Sequence, residues 1–128
     1  MTVRRLTAVI LSACISVLSL GAAVDITGKW TASFSTPIGE MNYTYDFVLK
    51  DGQLTGKIHS STFGDADVLE GKVDGDKVTF VELMDGSIRV EYTGRIVSVD
   101  EIAFSREVGD FGTEELTARR TKPRSPNP

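Results

Sequence analysis

The sequence predicts an all-β domain, an eight-stranded antiparallel up-and-down barrel, and three observations lead there. Turn signals recur every 8–12 residues, at Pro37-Ile38-Gly39, Lys50-Asp51-Gly52, Phe63-Gly64-Asp65, Asp74-Gly75-Asp76, Asp85-Gly86, Ser98-Val99-Asp100 and Gly109–Gly112. The runs between them are rich in β-branched and aromatic residues, and beyond the first 23 residues no stretch carries a helical stripe. One face of almost every run is apolar and the other polar, which suits a single sheet curled on itself with no free edge.

Alternation assigns the faces, because successive side chains of a strand point to opposite sides. The first strand, about 27–36, turns Trp30, Ala32 and Phe34 inward. The second, 41–50, turns in Met41, Tyr43, Tyr45, Phe47 and Leu49. The third, 54–61, gives Leu54, Gly56, Ile58 and Ser60, and the fourth, 67–73, gives Leu69, Gly71 and Val73. The fifth, 77–83, gives Val78, Phe80 and Glu82. The sixth, 87–97, gives Ile88, Val90, Tyr92, Gly94 and Ile96. The seventh, 101–107, gives Ile102, Phe104 and Arg106, and the eighth, 114–120, gives Leu116, Ala118 and Arg120. The opposite faces carry Lys57, His59, Glu70, Lys72, Arg89, Glu91 and Arg95. Inward glycines at 56, 71 and 94 let the sheet bend. Asp-Gly pairs favour tight hairpins, so neighbours in sequence are expected to be neighbours in space.

Residues 1–23 read as a secretory signal peptide. Arg4 and Arg5 precede an apolar run, Leu6–Leu20, and Gly21-Ala22-Ala23 supplies small residues for cleavage after Ala23. The barrel then occupies 24–120, and the proline-rich polar stretch 121–128 reads as a disordered tail. The expected location is secreted or periplasmic. Leu11-Ser12-Ala13-Cys14 has the form of a lipobox, which makes a lipoprotein anchored through Cys14 the alternative. Cys14 is the sole cysteine, so a domain cleaved after Ala23 has neither disulfide nor thiolate metal site and rests on its core. The chain carries a formal charge of −4 and no basic run, which argues against nucleic acid, and against a membrane surface unless Cys14 is lipidated.

Gly28-Lys29-Trp30 resembles the Gly-x-Trp signature of the calycin superfamily, the lipocalins, fatty-acid-binding proteins and avidins. The resemblance implies a glycine that bends the first strand, a tryptophan that plugs one end of the barrel, and a basic side chain from the last strand over the indole. Arg120 has the parity for that place, and guanidinium over indole contributes ~0.5–2 kcal/mol. The chain is also similar to small secreted bacterial domains of unknown function. It shares with them Thr36-Pro37-Ile38-Gly39, Tyr43-Thr44-Tyr45-Asp46-Phe47, Asp51-Gly52-Gln53-Leu54-Thr55-Gly56 and the stretch Gly71–Phe80. It is shorter than lipocalins and lacks their long first loop and terminal helix, which leaves less room for a large cavity.

The functional expectation is a lipocalin-like protein that binds a small apolar or amphipathic ligand without a cofactor. Tyr43, Tyr45, Phe80, Glu82, Tyr92 and Arg106 are the candidate ligand-binding residues, and Gly28, Trp30 and Arg120 the structural signature. The same aromatics also suit a filled interior, and Glu82 with Arg106 also suits a mutual ion pair. A packed barrel would instead be an interaction or inhibitor module displaying loops 36–41, 62–67 and 108–113. A third alternative is an isomerase or hydratase with Glu82 as the inward acid. His59 beside Ser60 and Ser61 lacks an evident orienting acid, and neighbouring strand residues face opposite ways, so nucleophilic catalysis is not expected. Asp51, Asp65, Asp67, Asp74 and Asp76 read as turn chemistry rather than as a metal loop. Asn42-Tyr43-Thr44 fits a glycosylation sequon but lies within a strand.

Overall fold

The computed structural model describes residues 24–121. The stretch 1–23 read as a signal peptide, with its Cys14 lipobox, and all but Thr121 of the tail read over 121–128 lie outside the described residues. Nine strands follow one another: β1 Gly28–Thr36, β2 Gly39–Lys50, β3 Gln53–Ser60, β4 Gly64–Asp67, β5 Leu69–Asp74, β6 Lys77–Met84, β7 Ile88–Ser98, β8 Glu101–Val108 and β9 Thr113–Arg120. All pairings are antiparallel. Neighbours in the chain pair, except that β4 and β5 do not pair with each other and both pair with β3. β2 also pairs with β3, and β1 with β9, so the sheet closes on itself.

β4 and β5 are two halves of one stave, which makes the barrel eight-stranded and up-and-down. The sequence predicts a straight strand over 67–73. Instead the ladder to β6 slips between Leu69 and Lys72, and Glu70 stands at φ +52°. The bulge puts Val68 in the core, where its N–H bonds to the Gly56 carbonyl at 2.9 Å, and leaves the predicted inward residue Leu69 opposite Val81 and outside the core. A bulge of this kind adds local twist, which helps a small barrel close.

Apart from Leu69, the face assignments hold around the ring. Trp30, Tyr43, Tyr45, Phe47, Leu54, Ile58, Val78, Phe80, Val90, Tyr92, Ile102, Phe104 and Ala118 are all buried. Between β2 and β3 the two-residue turn Asp51-Gly52 has positive φ at both positions, the conformation that matches strand twist. At Gly94 the space a side chain would take is filled by the Phe104 ring from β8. Added side chains at Gly56 and Gly71 would meet the backbones of Asp46 and Leu54, so the sheet crosses itself closely there.

The interior is filled by rings. Phe80 stacks on Tyr92 at 4.2 Å between centroids, and Phe104 meets both edge-on at 5.6 Å. Tyr45 stacks on Phe47 at 5.6 Å and meets Tyr92 edge-on at 5.8 Å. Such pairs contribute about 0.5–1.5 kcal/mol each beyond the area they bury. The seam between β1 and β9 is short, because only Trp30↔Arg120 and Thr31↔Arg119 are in register. Beyond it, toward the other end of the barrel, a cleft of about 520 Å³ lies between Ser33 and Phe34 on one side and Glu115 to Thr117 on the other.

Candidate functional site

One end of the barrel is shut. Trp30 is fully buried, and its Nε1 donates to the Ile26 carbonyl at 2.9 Å. The Arg120 guanidinium lies 4.6 Å from the indole centroid and donates to three carbonyls: Thr27 at 2.8 Å, Val99 at 3.0 Å and Asp25 at 3.1 Å. Gly28 stands at φ +136°, and a Cβ there would come within 2.9 Å of the guanidinium. A glycine at this position therefore both allows the bend and makes room for Arg120. Gly28, Trp30 and Arg120 thus come together at the closed end, which is a structural clasp and not a binding site.

Midway along the interior lies a buried polar network. Glu82 and Arg106 are each 1 % exposed. Tyr92 donates to Glu82 Oε1 at 2.9 Å, and Tyr43 donates to Glu82 Oε2 at 3.2 Å. Arg106 donates from NH1 to the Tyr92 oxygen at 2.8 Å and stands 3.6 Å from Glu82. The Tyr45 and Tyr92 hydroxyls are 3.0 Å apart. Tyr92 has a single proton and gives it to Glu82, so Tyr45 is the donor to Tyr92. Tyr92 then fills all three positions of its hydroxyl. Burial pushes the Glu82 carboxyl up; the bond from Tyr92, the charge of Arg106 and the bond from Tyr43 bring it only part of the way back. Burial likewise raises the Tyr45 and Tyr92 phenols.

Arg106 links this network to the open end. Its Nε donates to Glu114 Oε1 at 2.9 Å, and the Glu114 side chain is 22 % exposed. The rings of Phe34 and Tyr43 each lie 4.9 Å from the guanidinium carbon. Above Arg106 and Glu114 opens a cavity of about 310 Å³. Its walls are Met41, Met84, Ile88 and Val108 from strands and Ile38, Phe63 and Phe111 from the turns around the mouth. Ile38 and Phe111 stand 71 % and 81 % exposed at the rim.

Of the six candidate ligand residues, Arg106 lines this cavity. Tyr43, Tyr45, Phe80, Glu82 and Tyr92 lie in the filled interior, bonded or stacked to one another. The residues that strand alternation did not single out are Ile38, Phe63, Phe111 and Glu114, with Met84 and Val108, which lie one residue beyond the predicted strands 77–83 and 101–107. Three belong to turns, where no period marks a direction. Glu114 was detectable only as the cross-strand partner of Arg106.

On the outer surface His59 Nδ1 meets Asp65 Oδ1 at 2.5 Å, an acid that the sequence did not place beside it. Ser60 faces inward, and its Oγ accepts the Thr62 and Phe63 N–H groups at 3.1 and 3.0 Å, so it caps the turn before β4. Asp67 pairs with Lys57 at 2.6 Å, while Asp74 and Asp76 flank Gly75 at the β5–β6 turn and Asp51 lies in the β2–β3 turn. Among the described residues no group of three or more histidine, cysteine, aspartate and glutamate side chains is placed to hold a metal. No protein-family model matches the chain, and no curated protein matches it.

Proposed function

We propose that this protein is an exported, calycin-like barrel that binds one small amphipathic ligand at its open end. The observation that carries the reading is the cavity of about 310 Å³ at the mouth, apolar on its walls and polar at its floor. That volume is at the lower end for small-molecule sites, and an apolar wall with a few convergent polar groups is the usual make-up of one. The ligand's apolar body sits between Met41, Met84, Ile88 and Val108, and its polar group faces Arg106 and Glu114. The network of Glu82, Tyr43, Tyr45 and Tyr92 holds Arg106 still rather than touching the ligand. The clasp of Gly28, Trp30 and Arg120 supports calycin kinship, and the leader over 1–23 supports export.

A second reading, a module that presents its loops to another protein, draws on the exposure of Ile38 and Phe111. Native mass spectrometry of protein purified from its own host separates the two. A bound mass lost on Phe111→Ser or Met84→Ser supports the ligand reading. An empty barrel that also takes up no member of a panel of short apolar compounds removes it.

A further inference from the structure

We infer that the mouth cavity selects a hydrophobic cation, a short apolar body ending in an amine, over an anion of the same size. The inference rests on the mouth being a ligand site and adds the sign of the ligand's charge.

Arg106, the one cation at the floor, is buried and already bonded through two of its three nitrogens. Its Nε is held by Glu114 and its NH1 by Tyr92, with Glu82 3.6 Å away. Its side chain is 1 % exposed, with the Phe34 and Tyr43 rings beside it. An anionic ligand would have to displace Glu114 or reach the almost wholly buried NH2, and in either case would lie beside that carboxylate. Glu114, by contrast, has an oxygen to spare. Among the described residues only its Oε1 is engaged, and the side chain is 22 % exposed toward the cavity.

The surroundings have the same sign. The four segments that ring the mouth, 35–41, 60–66, 83–89 and 107–114, carry Glu40, Asp65, Asp85, Glu107, Asp110 and Glu114. Their only lysine or arginine is Arg89, which is itself bonded to Glu70 and Glu91. Glu40, Asp85, Glu107 and Asp110 make no ion pair among the described residues. Of the acids around the mouth only Glu114 lines the cavity, but an apolar recess set among segments of one charge sign concentrates ligands of the opposite sign. A volume of about 310 Å³ has room for roughly ten water-sized groups at ~30 Å³ each.

The test is calorimetric titration at neutral pH and low salt with octylamine, 1-octanol and octanoate, three compounds of one chain length. Octylamine is expected to bind about tenfold more tightly than octanol, the scale of one charge-assisted hydrogen bond, and octanoate more weakly than both. Added salt is expected to weaken octylamine and leave octanol unchanged. Glu114→Gln should remove most of the preference for the amine. Because that change also loosens Arg106, the pair Glu107→Gln with Asp110→Asn, outside the network, serves as the second variant and should lower octylamine affinity several-fold. Octanoate binding as well as octylamine would overturn the inference. Equal binding of octanol and octylamine would overturn it too while leaving the ligand reading in place. Binding of none of the three would remove both.

Discussion

Replacing Tyr92 by Phe deletes one oxygen, and the network sets what that deletion costs. The Tyr92 hydroxyl donates to Glu82 at 2.9 Å, accepts from Arg106 at 2.8 Å and accepts from Tyr45 at 3.0 Å. Tyr92→Phe therefore leaves three buried polar groups without a partner, two of them on charged residues. An orphaned buried group costs about 1–3 kcal/mol, more when charged. Arg106 and Glu82, already 3.6 Å apart, recover part of this by closing on each other. A net loss of about 3–5 kcal/mol is expected. Tyr45→Phe removes a donor at the end of the chain of bonds and orphans nothing, since Tyr92 still accepts from Arg106; about 1 kcal/mol is expected. For about 100 residues each kcal/mol lowers Tm by roughly 4–8 °C, so the two variants separate clearly in a thermal or urea melt. In the double variant the Tyr45 loss should shrink, because its partner is already gone. If Tyr92→Phe costs no more than Tyr45→Phe, the order of donors and acceptors deduced here is wrong.

Four further outcomes follow. Burial raises the Glu82 carboxyl above its ordinary 4.5. An acid raised in the folded state contributes stability that is fully present below its unfolded value and lost as pH climbs through the folded one. The stability of wild type relative to Glu82→Gln should thus grow as pH falls from neutral toward 4.5 and level off below it, as read from urea midpoints across that range. Gly28→Ala forces a Cβ onto a positive φ and toward Arg120, and should cost more than ~1 kcal/mol in a urea melt; Arg120→Lys keeps the charge but loses the fork that reaches three carbonyls, and should cost a similar amount. Ile38→Ser with Phe111→Ser should leave stability within about 0.5 kcal/mol while weakening uptake of short apolar ligands several-fold by calorimetry.

The curl of the sheet and the direction of nearly every side chain were legible, because a period of two needs only the order of residues. The meeting of Trp30 with Arg120 was legible for the same reason, with the Gly-x-Trp resemblance naming the partner. The break in the fourth stave was not. Glu70 adopts positive φ with no glycine or asparagine to announce it, and a slipped ladder depends on the twist the whole ring needs. Alternation put Glu82 and Arg106 inside but not Tyr92 between them, since the reach of a phenol across the barrel depends on its radius. Whether the centre was hollow depended on rotamers, and the cavity appeared instead at the mouth, among turn residues such as Phe63 and Phe111 that no alternation orients.

The short junction between the first and last strands gives the ring a parting line. One of the bonds holding it, from Arg120 to the Asp25 carbonyl, spans 95 positions of the chain. The hoop therefore cannot lock until its final strand has been made and delivered, and every earlier stage exposes two raw borders. Once locked, the same line has only two residue pairs in register, beside an open cleft. Water or a guest entering from the side would pass between Ser33 and Thr117 rather than through any of the longer ladders.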